Sequence, residues 1–177
     1  MATCDTSPAP RERFLYIAVP VLLIGLLADQ ASKSWASLRA AEPRMLVPGY
    51  LAAYSVPNAG CILGLGGNRA GTNTVFALLG LACATLLVRI AYADPRWWRV
   101  PDCLAGALLL AGIFGNTADR LALGHVRDFL VTWAIPTLAF NVADLLAVTG
   151  CALLLTSRYC DCRRTRSGLG LTRRAAA

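Results

Sequence analysis

The chain carries four apolar runs, and each is too short to cross a membrane unaided. They are Phe14 to Ala28, Val75 to Val88, Cys103 to Gly115 and Leu145 to Thr156. A spanning helix needs roughly 20 residues, so each run must take in its flanks. The second does so with Arg89 to Ala93, with the Arg89 head reaching the surface along its own stem. The others must absorb polar residues: Asp29 to Lys33 in the first, Asn116 to Arg120 in the third, Pro136 to Asp144 in the fourth. Ionisable groups inside a span are costly and by default functional.

A soluble fold is excluded by composition, because 56% of the 177 residues are hydrophobic and only 15% are charged. A net charge of +7 in a soluble chain would suggest nucleic acid. Here the basic residues lie between apolar runs and in the tail, which points to orientation in a membrane and away from nucleic acid. Four spans put both termini on one side. Of the 17 Lys and Arg, eleven fall on that side (Arg11, Arg13, Arg89, Arg96, Arg99, Arg158 and those beyond) and six on the other. The excess places both termini in the cytoplasm. A cleavable signal over Arg11 to Ala28 is the lesser reading, because Asp29 belongs to the polar set below.

One membrane domain, 14–157, is expected, with a cytoplasmic N-terminal tail at 1–13 and a basic tail at 158–177, and disorder at 1–10 and 160–177. The outer loop, 34–74, contains "RMLVPGYLAAYSV", which reads as short strands broken by a Pro-Gly turn. The fold class is therefore an all-α membrane protein of four transmembrane helices, with a small extracytoplasmic sheet between the first two. "DPRWWRVPD" at 94–102 reads as an interfacial anchor. Cys83, Cys103 and Cys151 read as small hydrophobes. His125 has no partner at zinc-ligand spacing and "CDC" at 160–162 is a weak metal hint, so neither metal nor cofactor is expected.

This topology collects the polar residues in one leaflet. Asp29 ends span one; Asn116, Asp119 and Arg120 end span three; Asn141 and Asp144 open span four; Asp128 lies in the loop above. A start near Pro136 would put Asp144 about 12 Å deep at about 1.5 Å per residue. Asn116 shares a helix face with Asp119 and Arg120, and Asn141 with Asp144. Any one of these could be a buried ion pair, and Arg120 is expected to neutralise a carboxylate. The set as a whole exceeds what a structural lock needs. With no serine–histidine pair and no phosphate loop, two carboxylates sharing one proton are the natural catalytic unit. Composition and spacing leave the pair open among Asp29, Asp119, Asp128 and Asp144.

The blocks "DQASK" (29–33), "NAG" (58–60), "GIFGNTADR" (112–120), "VRDF" (126–129) and "FNVAD" (140–144) stand in an order that resembles the lipoprotein signal peptidase, or signal peptidase II, family. The resemblance implies a four-span aspartic endopeptidase of the bacterial inner membrane. Its substrates would be lipid-modified prolipoproteins, cleaved before the diacylglyceryl cysteine amid membrane phospholipid. It implies Asp128 and Asp144 as the catalytic pair. Asn116, Arg120 and Asn141 would be polar groups around substrate and pair. Asp29 and Asn58, with Gly60, would be outer-surface substrate contacts, and Asp119 a supporting group. Cys61 and the residues after it depart from the family pattern. Arg127, where the family has an apolar residue, is expected to face solvent or lipid headgroups. "VTGC" at 148–151 mimics a substrate's lipid-attachment motif but lies in the last span. The rival functions are a proton-coupled transporter and a non-catalytic scaffold. A transporter would need polar residues continuing toward the cytoplasm, and the inner halves of spans one, three and four have almost none.

Overall fold

The computed structural model describes residues 10–39, 42–60, 71–132 and 138–175. Expectations for residues 1–9, for Cys61 and for the residues just after it lie outside them. The elements run α1 (Pro10–Arg39), β1 (Arg44–Val47), β2 (Leu51–Asn58), α2 (Thr72–Ala93), a 3-10 turn (Pro95–Trp98), α3 (Val100–Leu123), β3 (Val126–Thr132), β4 (Ala139–Phe140) and α4 (Val142–Ala175).

Four helices are long and apolar enough to cross a membrane: Leu15–Arg39, Thr72–Ala93, Val100–Leu123 and Val142–Arg164. The shortest, at 22 residues, spans about 33 Å at 1.5 Å per residue, enough for a hydrocarbon core of roughly 30 Å. The surface they present is apolar: Leu23, Ile24 and Leu27 on α1, Leu78 and Leu79 on α2 and Val148 on α4 are all exposed. Such a surface needs lipid around it.

The third helix is the centre, packed against α1, α2 and α4. Its buried face is small: Ala105, Gly106, Ala107, Ala111, Gly112 and Gly115. Small residues let helix backbones approach where lipid supplies no hydrophobic drive. A Cβ on Gly112 would sit 2.5 Å from the Ala143 carbonyl oxygen, and one on Gly115 2.5 Å from Asp29 Oδ2. These two glycines bring α4 and α1 against α3 at the polar end.

The sheet is antiparallel in the order β1-β2-β3-β4. The expected Pro-Gly turn joins β1 to β2, with Gly49 at φ 75° and Tyr50 N–H donating to Val47 O at 3.0 Å. A positive φ at the third turn position is where glycine is needed. Only half of the sheet comes from the α1–α2 connection. The segment read as a loop above the membrane, with Asp128 in it, is strand β3, and β4 follows it. Leu51 pairs with Thr132 and Asn58 with Val126, so the α1–α2 and α3–α4 connections form one sheet.

Span four departs from expectation. Its helix starts at Val142, after β4, and not near Pro136. Asp144 therefore lies in the first turn of α4, and the 12 Å depth does not hold. The missing length comes from downstream, through Ser157 to Arg164. Helix α4 continues to Ala175, where a disordered tail was expected. In the connection between α2 and α3, Trp97 is buried rather than exposed as an interfacial anchor would be. Its ring lies 3.0 Å from where a Cβ on Gly106 would be, with the Arg158 guanidinium 5.4 Å above it.

Candidate active site

The C-terminal ends of α1 and α3 and the N-terminal end of α4 meet β2 and β3 in one polar cluster. Its order begins with the first turn of α4. The Asn141 side-chain oxygen accepts from Asp144 N–H at 3.1 Å, and Asp144 Oδ2 accepts from Asn141 N–H at 3.0 Å. This is a reciprocal capping box, with aspartate in place of the usual glutamate. Asn141 and Asp144 thus begin the helix as well as line the cluster. A further free donor of that turn, Ala143 N–H, donates to Asp29 Oδ1 at 2.8 Å. A carboxylate at a helix N-terminus is favoured by the helix dipole.

The four candidate carboxylates separate into two kinds. Asp29 and Asp119 are held by cations. Lys33 Nζ lies 2.8 Å from Asp29 and 3.4 Å from Asp119, and it is fully buried. Arg127 grips Asp119 through Nη2 at 2.7 Å and Nε at 3.2 Å. Gln30 Nε2 donates to Asp29 at 3.1 Å and to Asp119 at 3.3 Å. The other two carboxylates are held by amides. Asp128 accepts from Asn141 Nδ2 at 2.6 Å and from Asn58 Nδ2 at 2.8 Å. Asp144 accepts from Asn116 Nδ2 at 2.7 Å as well as from Asn141 N–H.

Asn116 joins the two halves. Its Oδ1 accepts from Lys33 at 2.9 Å and from Asn141 Nδ2 at 3.1 Å, which turns its amide nitrogen toward Asp144. Asn58 is oriented in the same way: Gly60 N–H donates to its Oδ1 at 2.9 Å, leaving Nδ2 for Asp128. Arg120 Nη2 donates to the Gly60 carbonyl at 3.0 Å, and its guanidinium lies 5.5 Å from the Phe76 ring centre.

The protonation of Asp128 follows from this setting. It lies on β3, 2% exposed. Burial pushes its carboxyl up to about 6, against the bonds from Asn58 and Asn141 that favour the ionised form, and the Asp144 charge adds to the rise. A carboxylic acid that keeps its proton to about pH 6, near a second carboxylate, has the makings of an acid–base pair. Among the described residues, no three His, Cys, Asp or Glu side chains converge as metal ligands would.

Several expectations need correction. Arg127 does not face solvent or headgroups; it is turned inward onto Asp119 and Gln30, with 19% of its side chain exposed. The cations on Asp29 and Asp119 are Lys33 and Arg127, so neutralising them does not fall to Arg120. Asp29 is fully buried and holds Lys33 and the α4 N-terminus, not an outer surface. Sequence reasoning overlooked Lys33 and Gln30, although Lys33 stands at i+4 from Asp29, the spacing at which opposite charges meet on a helix.

The chain matches the family described as Signal peptidase (SPase) II, Peptidase_A8, over residues 21–160. A lipoprotein signal peptidase of Parasynechococcus marenigrum (strain WH8102) is 36% identical over 124 residues, covering 68% of this chain and 74% of its own length. One of Yersinia pestis (strain Pestoides F) is 31% identical over 150 residues, covering 81% and 84%. Two solved structures described as a bacterial membrane enzyme share the fold. Their TM-scores are 0.72 and 0.70, each at 24% identity, over 81% and 79% of this chain and 88% and 90% of theirs. A match that takes in all four strands and most of the four-helix bundle leaves one assignment: this multi-pass membrane chain belongs to the signal peptidase II family of peptidases.

Proposed function

We propose that this protein removes signal peptides from prolipoproteins, hydrolysing the bond before the diacylglyceryl-modified cysteine, and that it is an aspartic endopeptidase whose reacting pair is Asp128 and Asp144. One observation carries the choice of pair. Of the four clustered carboxylates, Asp29 and Asp119 form ion pairs with Lys33 and Arg127, whereas the hydrogen bonds that hold Asp128 and Asp144 come from amide groups. A carboxylate already engaged by a buried cation is committed to that ion pair; a pair held by neutral donors in a buried site can share a proton.

In the proposed mechanism a water lies between the two carboxyl groups. The ionised member takes a proton from it as its oxygen attacks the scissile carbonyl carbon. The protonated member gives its proton to the carbonyl oxygen, forming a tetrahedral diol. The diol collapses: the C–N bond breaks, a proton passes to the leaving amine, and the pair returns to one proton. Asn116, Asn141 and Asn58 hold the carboxyl groups in position. Arg120 and Gly60 hold the end of β2 beside Asn58. The acyl chains of the substrate lie in phospholipid against the apolar helix faces. The enzyme sits in the bacterial inner membrane with both termini cytoplasmic, as the uneven Lys and Arg distribution supports.

The test is cleavage of a lipidated prolipoprotein by purified enzyme. Asp128→Asn and Asp144→Asn should each lose at least about a thousandfold in kcat while still folding as judged by a cooperative thermal transition, and EDTA should change nothing. Full activity in either variant would remove that residue from the pair.

A further inference from the structure

Arg127 precedes Asp128 on β3, and Asp119 anchors it twice. Besides the guanidinium contacts, its backbone N–H donates to Asp119 Oδ2 at 3.0 Å. The guanidinium also reaches Gln30 Oε1 at 2.7 Å and Ser34 Oγ at 3.4 Å. One side chain thus ties β3 to α3 and α1 immediately beside Asp128. The charges around it balance: Asp29 and Asp119 against Lys33 and Arg127. Lys33 is the member they share, and it is also the one that bonds Asn116.

We propose that Arg127 is a positioning residue for the hydrolytic pair: by neutralising Asp119 it leaves the Asp29–Lys33–Asp119–Arg127 quartet without net charge behind Asp128 and Asp144, and leaves Lys33 free to hold Asn116. The proposal rests on the reading of Asp128 and Asp144 as that pair. The groups facing the pair are Lys33 from α1, Asn58 from β2, Asn116 from α3, and Asn141 at the start of α4. Asp29 and Asp119 stand behind Lys33, and Arg120 lies on α3 one turn after Asn116. Without Arg127 the quartet carries one uncompensated negative charge. That charge disfavours ionising either member of the pair. It also draws Lys33 toward Asp119, away from Asn116, whose amide then no longer has a fixed orientation toward Asp144.

The experiment is the pH dependence of kcat and KM for a lipidated prolipoprotein in the full-length enzyme, with Arg127→Leu, Arg127→Gln, Arg127→Lys and Asp119→Asn/Arg127→Leu. Arg127→Leu and Arg127→Gln should move both limbs of the profile to higher pH by about half a unit or more, and lower kcat more than they raise KM. Arg127→Lys, which keeps the charge, should return the limbs to the wild-type position. The double variant, which removes one charge of each sign, should do so as well. Limbs that stay in place in both neutral variants, with activity lowered or not, overturn the proposal; if Arg127→Leu does not fold, Arg127→Gln decides it. Asp128→Asn in the same assay keeps the two ideas apart: if it stays active, it is the assignment of the pair that fails.

Discussion

Replacing Lys33 with methionine tests the arrangement most directly. The ammonium is fully buried and touches three oxygens: Asp29 Oδ2 at 2.8 Å, Asn116 Oδ1 at 2.9 Å and Asp119 Oδ2 at 3.4 Å. Methionine keeps much of the volume and removes the charge. Asp119 retains Arg127, but Asp29 is left with neutral donors alone, Gln30 and Ala143 N–H. Breaking a buried pair from one side costs about 3–5 kcal/mol, because the remaining charge is stranded. At about 2–4 °C per kcal/mol for a chain of this size, the melting temperature should fall by at least about 6 °C. Thermal unfolding of the purified protein in a nonionic detergent at neutral pH, followed by tryptophan fluorescence, reads this out. Asp29→Asn/Lys33→Met, which removes both charges, should recover more than half of the loss. A single variant within about 2 °C of wild type, or a double variant no better than the single, would refute the view that Lys33 acts as the counter-charge of Asp29.

Two further outcomes follow from the geometry. Because Asp128 holds its proton up to about 6, and the proposed reaction needs one proton on the pair, kcat/KM should fall on the alkaline side from about pH 6. Asn58→Ala removes a bond that favours the ionised form, so that limb should move to higher pH; a move to lower pH would contradict the orientation given for Asn58. Gly112→Ala forces a Cβ to within 2.5 Å of the Ala143 carbonyl, next to the capping box. It should cost about 1–3 kcal/mol of stability and lower kcat, while Gly49→Ala in the outer turn, with nothing within 4 Å of the added Cβ, should leave kcat unchanged.

The spans were legible because hydrocarbon runs are a local signal, and so was the gathering of polar residues in one leaflet, since alternating spans dictate which ends meet. Asn141 and Asp144 were legible as neighbours on one face. Their reciprocal capping of the helix was not: span four was expected to take in Pro136 to Asp144, and only the pairing of Ala139–Phe140 with β3 keeps the chain extended up to Asn141. Lys33 was legible at i+4 from Asp29 and was used only in the balance of Lys and Arg between the two sides of the membrane. Arg127 was misread because a cation beside Asp128 has no visible partner in sequence; Asp119 is eight residues earlier, across a helix end and a turn.

The sequence by itself determined that this chain lives in lipid, crosses it four times, and carries more carboxylates at one end than structure alone requires. Hydropathy and residue type are properties of the chain, and the cost of burying charge in hydrocarbon makes them decisive. The tertiary structure alone decided how those carboxylates differ. Asp29, Asp119, Asp128 and Asp144 are chemically identical in sequence. Two of them fold against ammonium and guanidinium groups, and two against amides. A carboxyl group's readiness to hold or release a proton depends on the charges and donors within a few ångströms of it, and here those come from different helices and strands.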